Sequence, residues 1–220
     1  MKLNEEQINA IDLVLEQSGV VYVDYKFEIL DHIATQVEEL MVSEDLSFEN
    51  SLEIILKKWE PKLKKSASAT FGYIWELPQI LKQKAKKIYW RKMILLIALS
   101  FILMLALLFA KEYLANITEA ICYLLASLLF IQGIGYFKIR MSRHKTTYGF
   151  LYKQQFLAFF FMYFLSIYSL TINEAVLQRP NDTVFPVIFI ISFLIIAPVL
   201  NFRFYKNHFE QLSKHNKLVY

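Results

Sequence analysis

The chain has 220 residues, only five glycines and a single cysteine, Cys122, so it lacks the material for an internal disulfide, a thiolate-rich metal cluster or an extended phosphate cradle. Hydrophobic residues reach 56% and aromatics 16%, more than a water-soluble domain carries. The net charge of +4 hides an asymmetry: residues 1–60 hold 14 of the 20 acids against Lys2, Lys26, Lys57 and Lys58, a balance of −10, which leaves the rest near +14 and argues against direct nucleic-acid binding by the acidic part.

The first helix is predicted from about Glu5 to Ser18. Asn4 is a good N-cap with Gln7 three residues on, Leu3 can staple onto Ile8, and Gly19 provides a stop. Ile8, Ile11 and Leu15 form its apolar face. A second helix is predicted from Tyr25 to Met41 behind an N-cap at Asp24. Its expected buried stripe is Phe27, Leu30, Ala34, Val37 and Met41, widened by Ile33 and Leu40. A third follows Ser47, turns Phe48, Leu52, Ile55, Leu56 and Trp59 inward, and is expected to end at Pro61. Three short helices in about 60 residues give a marginal core, which gains from docking on a partner, a second copy or the rest of the chain.

Residues 61–92 read as a basic and aromatic juxtamembrane linker with nine bases and one acid. Within it, Lys62 to Ile80 fits either a plain linker or an interfacial segment with Phe71, Tyr73 and Trp75 at the headgroups. Tyr89, Trp90, Arg91 and Lys92 are candidate membrane-interface anchors, because amphipathic rings and long cationic side chains favour that layer.

Four apolar segments follow, at about 93–110, 120–137, 154–173 and 183–202. None holds Asp, Glu, Lys, Arg or His, and each is long enough to cross a hydrocarbon core of ~30 Å. The loop 138–153 and the tail 203–220 are basic, whereas 111–119 and 174–182 are nearly balanced. This alternation predicts cytoplasmic termini. The opening residues lack an apolar core, so insertion is expected from these later segments. The expected fold is all-α: a three-helix N-terminal cytoplasmic domain and a four-helix transmembrane bundle.

Candidates for chemistry are few. Asp31 and His32 are sequence neighbours and point about 100° apart on a helix, while His32 can meet Glu28 or Gln36, each four residues away. One histidine with carboxylates is too little for a metal, so Glu28, Asp31 and His32 are candidates for partner contact instead. His144, His208 and His215 lie among lysines and arginines and are expected in solvent or at lipid headgroups. The spans offer serines and glutamines able to hydrogen-bond between helices. They lack the intramembrane acid or base that proton or ion translocation needs, and Pro186 and Pro198 are expected to permit bends. No catalytic residues, cofactor or metal are expected, and the chain reads as a non-enzyme.

The run LNEEQINAIDLVLEQSGVVYVDYKFEILDHIATQVEELM, followed by SFENSLEIILKKW, resembles the small helical signalling domains called HAAS, in the version seen in Bacteroidetes membrane proteins. The resemblance rests on the capped first helix, the Gly19 turn, the Leu-Asp-His-Ile run at Leu30–Ile33 and the Ser-Phe-Glu start of the third helix. It implies a membrane-bound regulatory protein and, through the usual gene neighbours of such domains, a PadR-type winged-helix transcription factor as partner. The expected function is therefore an inner-membrane signalling protein whose acidic domain binds a cytoplasmic regulator. The alternative is an accessory or assembly subunit of a larger membrane transport or export complex.

Overall fold

The structure, a computed structural model, describes residues 2–68, 72–172 and 181–219. Its contacts divide the chain into an N-terminal unit (1–87 with 143–147 and 209–220) and a membrane unit (88–142 with 148–208).

In the N-terminal unit, α1 spans Glu5–Gln17. The Asn4 side chain accepts from the Gln7 N–H and the Gln7 side chain accepts from the Asn4 N–H, each at 2.9 Å, completing the expected capping box. The helix ends in a Schellman turn: Gly19 has φ +86, its N–H donates to Glu16 O, and the Val20 N–H donates to Leu15 O. Val20 and Leu15 are both fully buried, so the turn also closes a hydrophobic contact.

Helix α2 spans Val23–Ser43 and starts two residues earlier than expected, behind Tyr22, which provides no side-chain cap. Its core stripe is Ile29, Ile33 and Val37, with Leu30, Ala34, Leu40 and Met41 packed partly buried beside it. Phe27, expected inward, stays 43% exposed, because the stripe at four-residue spacing runs through Ile29 and Ile33 and leaves Phe27 on its flank. Helix α3 spans Phe48–Leu63; Ser47 Oγ accepts from the Asn50 N–H, and Ile55, Trp59 and Leu63 are buried. Pro61 does not end it. Proline at this point removes one hydrogen bond only, and the burial of Leu63 carries the helix two residues further.

The stretch read as a linker contains an antiparallel hairpin, β1 (Lys65–Ser68) with β2 (Gly72–Pro78), whose register is irregular between Ser66 and Ser68. Tyr73 and Trp75 lie on β2, and Phe71 lies outside the described residues. Lys82, at the start of α4 (Gln79–Phe109), donates to Ser66 Oγ at 2.7 Å and ties the hairpin down.

The remaining helices are α5 (Lys111–Asn116), α6 (Thr118–Arg140), α7 (Thr147–Ile172) and α8 (Asn181–Val219). Four helices, α4, α6, α7 and α8, are long and apolar enough to cross a membrane, which makes this a multi-pass membrane protein. Leu194, Ala197, Ile188 and Val184 of α8 are fully buried against Met104, Leu125 and Tyr163. Large apolar side chains such as Ile94, Ile102, Phe130 and Leu165 face outward, as lipid contact allows. The loop 174–182 falls mainly outside the described residues.

Candidate functional site

Of the three candidate contact residues on α2, Asp31 and His32 are exposed. Glu28 is also exposed and has Lys84 Nζ 3.6 Å from its carboxylate, while the same ammonium lies 3.8 Å from the centre of the Tyr25 ring. A larger acidic surface lies elsewhere on the unit. The Leu3 N–H donates to Glu38 Oε1 at 2.9 Å, which places the start of α1 beside the end of α2. The α2–α3 connection is at that same end, so Glu5, Glu6, Glu39, Glu44, Asp45 and Glu49, all exposed, gather there with half-buried Glu38 and with Val42, which is 65% exposed. Lys2 is the only base in residues 1–16 and 38–56.

The opposite end of α2 is bonded to the segment between α6 and α7. The Val23 N–H donates to Lys145 O at 2.9 Å, and Asp24 Oδ1 accepts from the Thr147 N–H at 2.8 Å and from the Thr147 hydroxyl at 3.3 Å. Asp24, predicted to cap its own helix, thus caps α7, where a carboxylate meets unpaired N–H groups and the positive end of the helix dipole. Nearby, Lys26 bridges Asp12 at 2.7 Å and Glu16 at 2.8 Å on α1. Burial pulls the Lys26 ammonium down, but the hydrogen bonds it donates to both carboxylates more than offset this and hold the group above its ordinary range. The ring of His215 lies 5.3 Å from Phe27 and 4.7 Å from His144, centre to centre.

Burial pushes the Asp24 carboxyl up, and the two Thr147 hydrogen bonds oppose this only in part; Oδ2 is buried without a hydrogen-bond partner among the described residues. A carboxyl raised on folding binds its proton more tightly in the folded state. Its contribution to stability is therefore full below the unfolded carboxylate range and is lost as pH rises through the folded value. Asp24→Asn keeps an acceptor for Thr147 and removes the buried charge. Relative to the variant, the wild type should lose thermal stability of the N-terminal unit as pH rises through the acid range, the other carboxyls being common to both. Equal slopes would mean that Asp24 does not titrate in that window.

In the membrane unit, Tyr89 is half-buried and Trp90 and Arg91 are exposed at the charged end of α4. Lys92 instead donates to Leu200 O of α8 at 3.0 Å, with its ammonium 3.1 Å from the centre of the Phe204 ring. Deeper lies a polar chain. Asn201 Nδ2 donates to Gln132 Oε1 at 3.0 Å, Gln132 Nε2 donates to Tyr163 Oη at 3.0 Å, and the Tyr163 hydroxyl donates to Leu194 O. Leu194 is four residues before Pro198, which has no N–H, so Tyr163 supplies the donor that the proline removes. The Tyr152 hydroxyl also donates to Gln132 O at 2.9 Å.

By contrast, Ser100, Ser127, Ser192 and Thr171 bond carbonyls of their own helices three or four residues back, because a helical hydroxyl reaches those first. His208, expected in solvent or at headgroups, is almost fully buried with Nε2 3.0 Å from Ser142 Oγ. The packing of α8 beside the end of α6 covers it, and charge among its sequence neighbours does not report that.

Among the described residues, no group of three or more His, Cys, Asp and Glu side chains could hold a metal ion. No family model, curated protein or solved structure matches the chain. Sequence reasoning missed Thr147 and Tyr163 as partners. Pro198 was the available signal, since it demands a donor for Leu194 O from another helix.

Proposed function

We propose that this protein is a regulatory component of a bacterial inner membrane, with both termini in the cytoplasm, whose acidic N-terminal unit binds a basic cytoplasmic protein. The observation that carries this reading is the charge of −10 on residues 1–60, with seven acids gathered at one end of a folded unit that precedes four apolar spans. Opposite charge steers encounter and selects partners, so a basic DNA-binding regulator of the PadR type suits this surface, and its retention at the membrane keeps it from DNA. Thr147 opens α7, and its hydrogen bonds to Asp24 tie that helix start to α2. The resemblance to HAAS domains supports the same reading.

The test is to extract the full-length protein in mild detergent and identify what co-purifies, alongside a variant with Glu39→Gln, Glu44→Gln, Asp45→Asn and Glu49→Gln. A soluble DNA-binding protein retained by the wild type should be lost with added salt, and its association with the variant should slow at least about tenfold. A polytopic permease or transport ATPase retained equally by both would replace this reading with that of an export-complex subunit.

A further inference from the structure

In sequence, the basic end of the membrane unit is rich in cations and poor in acids. Residues 88–111, 120–172 and 183–209 contain no Asp or Glu, yet Arg91, Lys92, Lys138, Arg140, Lys153, Arg203 and Lys206 all belong to this unit. At this end a crevice of about 180 Å³ opens between α6 and α8. Its walls are two apolar stripes at helical spacing, Ile131 with Ile134 on α6 and Pro198 with Phe202 on α8; Ile131, Ile134 and Phe202 are exposed toward lipid. Gly135 and Tyr152 form the floor, and a Cβ on Gly135 would collide with Tyr152 Oη, so this depth requires glycine. Lys138, exposed, and Tyr205, half-buried, stand one turn further along each stripe.

An acyl chain needs apolar walls open to the bilayer, and a phosphodiester needs a cation and hydroxyl donors at the end of them. We propose that this crevice holds one anionic phospholipid, its phosphate on Lys138 and Tyr205 and the upper part of one chain between the two stripes. A single lysine near a membrane surface accounts for about a fivefold preference for anionic over zwitterionic lipid. Helix packing alone requires no lipid of either kind, so the preference is specific to a binding role.

The experiment is native mass spectrometry of the delipidated full-length protein, titrated separately with phosphatidylglycerol and phosphatidylcholine of matched chains. Lys138→Ala is compared with Lys206→Ala, an exposed lysine at the same charged end that does not line the crevice. The expected result is one retained phosphatidylglycerol, favoured at least about fivefold, with the preference lost in Lys138→Ala and kept in Lys206→Ala. Equal retention of both lipids by the wild type, or equal loss in the two variants, would overturn the proposal.

Discussion

Ile33→Ala is expected to remove about 2–5 kcal/mol from the N-terminal unit. Ile33 is fully buried at the centre of the α2 stripe, between Ile29 and Val37, in the cluster that also takes Ile11 and Leu15 from α1 and Ile55 and Trp59 from α3. Truncation deletes three carbons and leaves a cavity that surrounding β-branched and aromatic side chains fill poorly. A unit built on three short helices has only a few kcal/mol to lose, so the change is comparable to its whole stability. Hydrogen exchange on the full-length protein should show α1, α2 and α3 losing protection together. The apolar cluster that lines the membrane unit is separate and contains none of these residues, so its amides should keep theirs. Unchanged protection across α2 would show that Ile33 is not central to that core.

Tyr163→Phe should destabilise the membrane unit by on the order of 2–3 kcal/mol, an unusually large effect for one hydroxyl between membrane helices. Interhelical hydrogen bonds in bilayers are commonly worth less than 1 kcal/mol, because the separated helices find other partners. This hydroxyl serves two groups at once. It gives Leu194 O the donor that Pro198 withholds, and it accepts from Gln132, whose other end receives Asn201. Removing it strands a buried carbonyl and a buried amide proton in apolar surroundings. The measurement is unfolding of the purified protein in mixed detergent micelles, with Tyr163→Phe set beside Tyr163→Phe/Pro198→Ala. If the proline-vacated carbonyl is the main cost, the second change restores part of the loss by returning an N–H to α8. A Tyr163→Phe variant as stable as the wild type would mean that these groups find other donors.

The features legible in the sequence share one property: they are settled within a few residues of chain. Asn4 and Gln7 cap each other, Ser47 caps α3, Gly19 turns the chain after α1, and four uninterrupted apolar runs give four long helices. Their physics is local hydrogen bonding, backbone φ and the length of a membrane crossing. The candidate surface was legible in part. Its acidity follows from composition, whereas the gathering of Glu5, Glu6, Glu39, Glu44, Asp45 and Glu49 depends on α1 and α2 running in opposite directions.

Tertiary structure alone decided which polar groups meet across long sequence separations. Asp24 was well placed to cap its own helix, yet its carboxylate serves Thr147, 123 residues away. Lysines at 82, 84 and 92, alike in sequence, bind a hairpin serine, a tyrosine face with a glutamate, and a carbonyl of α8. A charged side chain takes whichever partner the fold brings near, and sequence neighbours do not carry that information. Local geometry therefore set most of the helices and their caps, while packing chose the long-range partners of Asp24, Gln132, Tyr163 and Asn201, because leaving such groups unpaired in apolar surroundings is costly.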